Sequence, residues 1–257
     1  MKEIMYNMGK KIIKNTIPSV SGTIKKDFNL STLTWFKVGG KAEVFFIPKD
    51  KKDLVSFLKK LDKNTPIKVL GAGSNILIRD GGIRGVTISL VKNFSNISYI
   101  KNQKILVGAG VNCIKLSRDC ALKSLKGLEF FSGIPGTVGG AIRMNAGAYG
   151  HETSDILEKI LTVTKRGKIK EYNKEELKMS YRKNSLNKDE IILQALFTCK
   201  KGKKKHIQDD INELRERRQK TQPITLKTSG STFKNPSNLQ AWKLIKQSGC
   251  SKLKKGG

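Results

Sequence analysis

The first residues that suggest chemistry are glycines. Seven of the 24 glycines lie within residues 127–150 (Gly127, Gly133, Gly136, Gly139, Gly140, Gly147 and Gly150), and five more lie within 71–85. Glycine adopts positive φ readily and lets backbone approach a ligand closely. The 127–150 segment holds one basic residue, Arg143, in a chain with 51 Lys and Arg. A phosphate bound there would be held by backbone N–H groups rather than by ammonium groups. No third glycine follows Gly71-Ala72-Gly73 at the dinucleotide spacing, and no G-K-[ST] occurs, so neither a Rossmann fingerprint nor a P-loop is present. Tight turns without a ligand account for the glycines equally well. Cys113, Cys120, Cys199 and Cys250 form no C-x-x-C, and His151 and His206 stand alone. No metal site is expected. Reduced, mostly buried thiols are expected instead, as suits a cytoplasmic protein.

Hydrophobic spacing outlines the elements that must carry these turns. Lys41–Pro48, Ile67–Leu70, Ile76–Ile78 and Val86–Leu90 read as strands, with a turn at Gly71–Asn75. Asp50–Leu61 reads as a helix capped by Asp50, with Leu54, Phe57, Leu58 and Leu61 on one face. Ile97–Ile100 and Ile105–Val107 suggest a hairpin. The spacing then predicts a helix over Asn112–Lys126, stopped by Gly127. Ile160–Thr164 and Ile191–Phe197 read as strands, Ile207–Lys220 as a charged helix and Gln240–Gln247 as the start of another. The mixture implies an α+β fold.

The 257 residues suffice for about one to three domains with a sizeable core. No apolar run approaches the roughly 18 residues of a membrane helix, and no signal peptide is expected at the N-terminus. The formal charge is +30. Such a charge can mark a nucleic-acid-binding protein, which stands as an alternative. Lysine is spread along nearly the whole chain, however, and the runs Lys200–Lys205 and Arg215–Lys220 lack aromatics to stack bases. They read as a solvated linker and a helix face.

Read in order, the motifs are more specific than the glycine count. They are Thr34-Trp35-Phe36-Lys37-Val38-Gly39-Gly40, Gly71-Ala72-Gly73-Ser74-Asn75, and Gly133-Ile134-Pro135-Gly136-Thr137-Val138-Gly139-Gly140-Ala141. Then follow Met144-Asn145-Ala146-Gly147-Ala148-Tyr149-Gly150, Tyr181-Arg182, Gln222-Pro223 and Gly230-Ser231-Thr232-Phe233-Lys234-Asn235-Pro236. This series resembles the UDP-N-acetylenolpyruvoylglucosamine reductases, flavoenzymes of peptidoglycan precursor synthesis, from about residue 28 onward. The resemblance implies a two-lobed FAD-binding module of the PCMH type followed by an α+β substrate-binding domain. Residues 1–27 would be a lead-in, 28–204 the FAD module with lobes of about 28–95 and 96–204, and 205–257 the substrate domain. The short spacing from Arg182 to Ser231 looks like the family type without a tyrosine-loop insertion.

By the same resemblance, NADPH reduces FAD, and the reduced flavin reduces the enolpyruvyl group of a UDP-sugar to give UDP-N-acetylmuramate. Gly71, Ala72, Gly73, Ser74, Asn75, Ile134, Pro135, Gly136, Thr137, Gly139, Gly140, Ala141 and Asn145 would line the cofactor. Hydride addition to the outer alkene carbon drives negative charge toward the carboxylate. Arg182 matches the family's cation for that charge, and arginine suits it because its planar fork holds a carboxylate by two hydrogen bonds. Ser231 matches the proton donor. Tyr181, Lys234 and Asn235 are candidate substrate contacts. The chain is expected to act as a monomer, away from membranes. It carries no Asp or Glu after Glu216, so by the resemblance these residues are expected to lack the family's late catalytic glutamate and to form an incomplete substrate domain. A flavin-binding protein without reductase activity is therefore a second expectation.

Overall fold

Two apolar residues on one face, Ile24 and Phe28, anchor the first strand. In the computed structural model, which describes Ile13, residues 17–221 and residues 232–254, β1 (Thr23–Asn29) half-buries Ile24 and Phe28 and exposes Lys25 and Lys26. It is followed by β2 (Lys41–Ile47), α1 (Lys51–Lys60), β3 (Ile67–Val69) and β4 (Ile83–Ile88). These strands form a sheet in the order β1-β2-β4-β3, with β1 antiparallel to β2 and the other pairs parallel. β2 is buried on both faces, so it reads as a nearly continuous apolar run. Val44 and Phe46 enter the main core, while Ala42 and Phe45 enter a smaller cluster with Leu30, Leu70, Ile78 and Ile83.

The helix α1 follows from its sequence. The Asp50 carboxylate accepts from Asp53 N at 2.9 Å, capping the first turn, and Leu54, Phe57 and Leu58 are buried. Asp53 itself accepts from Ser21, Gly22 and Lys49 N at 2.7, 2.9 and 2.9 Å. One carboxylate thus ties the start of β1 to the helix.

The second half continues with β5 (Ile97–Ile100), β6 (Lys104–Gly108), α2 (Cys113–Leu122), β7 (Leu125–Lys126), α3 (Val138–Arg143), β8 (Gly147–Ala148), β9 (His151–Glu152), β10 (Leu157–Val163), β11 (Ile169–Asn173), β12 (Ile191–Thr198) and β13 (Lys200–Lys201). Its five-stranded sheet runs β11-β10-β12-β6-β5, antiparallel throughout. The helices α4 (Lys204–Thr221) and α5 (Ala241–Gln247) follow. Phe46, Phe57 and Ile88 from the first half share one core with Ile105, Leu116, Phe131, Ile160 and Phe197 from the second. Each such side chain contributes about 1.5–3 kcal/mol on burial. Among the described residues no helix is long and apolar enough to cross a membrane.

Four sequence expectations need correction. β1 begins at Thr23, inside the stretch read as lead-in, because an edge strand tolerates its exposed lysines. Ile76–Ile78 joins no ladder; Ile78 meets its burial demand against Gly39 and the smaller cluster. The helix expected to reach Lys126 stops at Leu122. Ser124 turns left-handed (φ 57°), and Leu125–Lys126 pairs with Lys200–Lys201. The basic runs are not merely solvated: Lys200–Lys201 is that ribbon, and Arg218 Nη1 donates to the Gly133 carbonyl.

Candidate active site

The Gly71–Asn75 turn leaves the end of β3 and meets the turn before α3. A Cβ on Gly71 would stand 2.6 Å from Thr137 Oγ1, and one on Gly136 would stand 3.7 Å from Ser74 Oγ. Gly73 has φ +64°, and a Cβ there would lie 2.0 Å from the Leu33 carbonyl oxygen. The motif around Thr34 braces this turn. Thr34 is buried, its hydroxyl donates to Val38 O at 2.9 Å, and Trp35 N donates to Gly73 O at 3.0 Å.

The backbone N–H groups of residues 71–75 donate to no acceptor among the described residues. A row of such amides on a half-buried turn suits a group that offers only acceptors, as a pyrophosphate does. The turn before α3 behaves differently. Gly136 N donates to Ile134 O at 2.8 Å, Gly139 N to Ala109 O at 2.9 Å and Ala141 N to Thr137 O at 2.8 Å. Gly140 N is 3.4 Å from its cap, Thr137 Oγ1. The expected cofactor residues Gly139, Gly140 and Ala141 therefore spend their amides inside the protein. Gly139 serves close packing, since a Cβ would stand 3.0 Å from Ala109 Cβ. Ile134 and Pro135 are half-buried. The residues present thus fit FAD chiefly through the first turn.

Asn145 was expected to line the cofactor, yet its side chain is spent behind the cradle. It is 0% exposed. Its Oδ1 accepts from Ser154 N at 3.0 Å and its Nδ2 donates to Ser180 O at 3.2 Å. Its left-handed φ of 39° is one that asparagine tolerates better than most residues.

Tyr181 and Arg182 form the tip of a tight turn in which Ser180 and Lys183 bond each other in both directions at 3.0 Å. Arg182 has φ 56°, which costs about 1–2 kcal/mol for a residue with a Cβ. Its Nη1 donates to Asn145 O at 3.3 Å and its Nη2 to Gly147 O at 3.1 Å. The guanidinium also lies 5.2 Å from the centre of the half-exposed Tyr181 ring. Of its five N–H donors, the rest meet no acceptor among the described residues.

The later motif reaches this turn. Lys234 Nζ lies 3.5 Å from Arg182 O, and Asn235 N lies 3.4 Å from the Tyr181 hydroxyl oxygen. Asn235 Oδ1 accepts from Ala241 N at 3.1 Å, fixing its side chain at the start of α5. Tyr181, Arg182, Lys234 and Asn235 are therefore brought together. Ser231 lies outside the described residues. Two depressions of about 450 and 490 Å³ are lined by none of the expected site residues.

Residues 42–173 match the FAD binding domain family. The UDP-N-acetylenolpyruvoylglucosamine reductase of Rickettsia bellii (strain RML369-C) is 48% identical over 233 residues, 91% of this chain and 77% of that protein. The chain belongs to this reductase family. The reductase of Rickettsia canadensis is 47% identical over 243 residues, 94% of this chain and 82% of the relative. The solved structure of the reductase from Thermus caldophilus aligns with a TM-score of 0.80 at 30% identity, covering 93% of this chain and 84% of that one. The 6-hydroxy-D-nicotine oxidase of Arthrobacter nicotinovorans, at 18% identity and a TM-score of 0.58, shares the fold of the FAD module.

Sequence reasoning missed Asn184, Arg143, Tyr149 and Arg218. Asn184 Nδ2 donates to Ile142 O and Arg143 O at 2.9 and 3.0 Å. Arg143 Nη1 donates to Leu186 O and Asn187 O at 3.2 and 2.9 Å, and burial lowers its pKa from the usual arginine value. Tyr149 stacks under Gly133 and donates to Leu214 O at 2.9 Å, joining α4 to the cradle. The near-absence of other basic residues in 127–150 was the one signal for Arg143.

Proposed function

We propose that this chain reduces the enolpyruvyl group of UDP-N-acetylglucosamine enolpyruvate to UDP-N-acetylmuramate with NADPH and FAD, in the cytoplasm, as a step of peptidoglycan precursor synthesis. The observation that carries the reading is the Lys234–Asn235 segment reaching the Arg182 turn, with the unbonded 71–75 amide row against Thr137 at the other end of α3, in a chain of this family. Bound FAD would supply the hydride chemistry, and the amides of residues 71–75 would hold its pyrophosphate. Arg182 holds the substrate carboxylate with the guanidinium donors not directed at Asn145 O and Gly147 O, and stabilises charge as it develops there. Ser231 supplies a proton to the carbon beside the carboxylate. Lys234, Asn235 and Tyr181 orient the substrate.

Visible absorption of the purified chain, before and after FAD addition and desalting, tests the first part. Retained flavin bands are expected, and a colourless protein after FAD addition would sink the reading. Anaerobic reduction by NADPH followed by reoxidation with the enolpyruvyl substrate tests the rest. Ser231→Ala should leave the first step intact and slow the second. Reoxidation at the wild-type rate would remove Ser231 from the role.

A further inference from the structure

The turn that carries Arg182 is clamped on both flanks by asparagine amides. On one side Asn145 Nδ2 donates to Ser180 O at 3.2 Å. On the other, Asn184 spends both N–H groups of its amide on the last carbonyls of α3, Ile142 O at 2.9 Å and Arg143 O at 3.0 Å. Its Oδ1 accepts from Leu186 N at 3.0 Å, so the side chain is directed wholly at protein. Between the clamps, Ser180 and Lys183 bond each other, which leaves Tyr181 and Arg182 as the two tip residues. Both clamps end at the C-terminal end of α3. The other end of that helix begins at its cap Thr137, whose hydroxyl faces Gly71. Six helical residues span about 9 Å. One short rod therefore has the cofactor cradle at one end and the arginine turn at the other.

We propose that Asn184 is a positioning residue that fixes the Arg182 turn to the cofactor cradle through α3. A left-handed arginine persists only where its surroundings over-determine it, and Asn184 is the half-buried residue that holds the C-terminal flank of the turn. The proposal rests on the function proposed above. It goes further in assigning a residue that touches neither cofactor nor substrate, and in making the cradle and the arginine one mechanical unit. A bare helix-capping role for Asn184 is the competing account, and the two differ in what they predict when Arg182 is gone.

The experiment uses the full chain loaded with FAD, in four forms: wild type, Asn184→Ala, Arg182→Ala and the double variant. Asn184→Ala should slow reoxidation by the enolpyruvyl substrate about 10- to 100-fold, the size of effect that small misplacement of a reacting group brings. Its reduction by NADPH should stay within about twofold of wild type. In the Arg182→Ala background the same change should add less than about twofold, because a residue that acts through Arg182 has nothing left to position. Full additivity, or equal slowing of both steps, would overturn the proposal. A second readout needs no cofactor: amide hydrogen exchange at residues 180–183 should accelerate in Asn184→Ala. Unchanged exchange there overturns the clamp whatever the kinetics. Should Asn184→Ala fail to fold, Asn184→Ser keeps one donor and should show the same pattern at smaller size. If Arg182→Ala leaves reoxidation unchanged, the assignment of Arg182 falls, and the exchange measurement still decides the clamp.

Discussion

The cofactor cradle and the arginine turn are built by opposite means. The cradle is backbone held by packing. Gly71 and Gly73 stand where a Cβ would strike a side chain or backbone, and the turn at buried Thr34 and exposed Trp35 braces the cradle. The arginine turn is side chain held by hydrogen bonds. Tyr181 is half exposed, Arg182 is left-handed, and the contacts from Lys234 and Asn235 are long, at 3.5 and 3.4 Å. A backbone cradle is insensitive to most side-chain changes and intolerant of bulk. A side-chain site is the reverse. On the proposed function the two would divide the reaction, the cradle serving the flavin and the turn the substrate.

The largest expected effect separates them cleanly. Arg182→Ala should lower reoxidation by the enolpyruvyl substrate by about 10²–10³-fold, the usual loss on removing one donor aimed at developing charge. Flavin content and NADPH reduction should persist. Stopped-flow absorbance reads both, and a parallel loss of flavin would break the division. Gly73→Ala is the reciprocal change. It adds a Cβ 2.0 Å from the Leu33 carbonyl at a φ of +64°. The left-handed penalty alone is about 1–2 kcal/mol, so FAD affinity should fall by about 5- to 30-fold. Titration of the apoprotein by flavin fluorescence checks it. Unaltered affinity would mean that the 71–75 amides do not hold the cofactor.

A third change should touch neither region. Asp53→Ala leaves the N–H groups of Ser21, Gly22 and Lys49 without their carboxylate. A loss of about 1–3 kcal/mol in unfolding free energy is expected, read from denaturant midpoints, with both half-reactions unchanged. A kinetic defect would show that the first sheet transmits strain to the site.

How much of this was legible beforehand follows from the same contrast. The helix α1 could be read residue by residue, because Asp50, Leu54, Phe57 and Leu58 act locally. The glycines alone left a ligand cradle and plain tight turns equally open, and the ordered motifs pointed to the family to which the chain belongs. That Gly71 meets Thr137 could not be read from local pattern, since each segment looks like an ordinary turn alone. Nor could pattern tell apart the amides of residues 71–75 from those of Gly139 and Ala141, which the fold consumes. Ile76–Ile78 failed for a related reason: burial beside Gly39 satisfies an apolar run as well as a ladder does. Asn184 gave no signal, because an asparagine two residues beyond a motif resembles any turn residue. Local chemistry was readable and long-range docking was not.

The smallest expected effect concerns what keeps the arginine turn's own scaffold in place. Glu190 begins β12's approach and is 5% exposed. Burial works to raise its pKa, but hydrogen bonds from Lys170 Nζ at 3.0 Å, Tyr172 OH at 2.9 Å and Thr162 Oγ1 at 2.9 Å outweigh that and hold it below the ordinary carboxylate value of 4.5. A depressed folded-state pKa means that this stabilisation is present above the unfolded value and is lost as pH falls through the folded one. Wild-type stability should therefore decline in the acid range below about pH 4.5. Glu190→Gln should flatten that part of the decline while lowering stability near neutrality. Arg143 Nη2 donates to the Glu190 backbone carbonyl rather than to its carboxylate, so the link from α3 to this segment should survive the substitution, and reoxidation should be unchanged. Denaturant midpoints against pH measure the slope. An unchanged slope would mean that Lys170 and Tyr172 bond the acid and the carboxylate equally well. A loss of reoxidation with it would move Glu190 from the scaffold to the arginine side of the comparison.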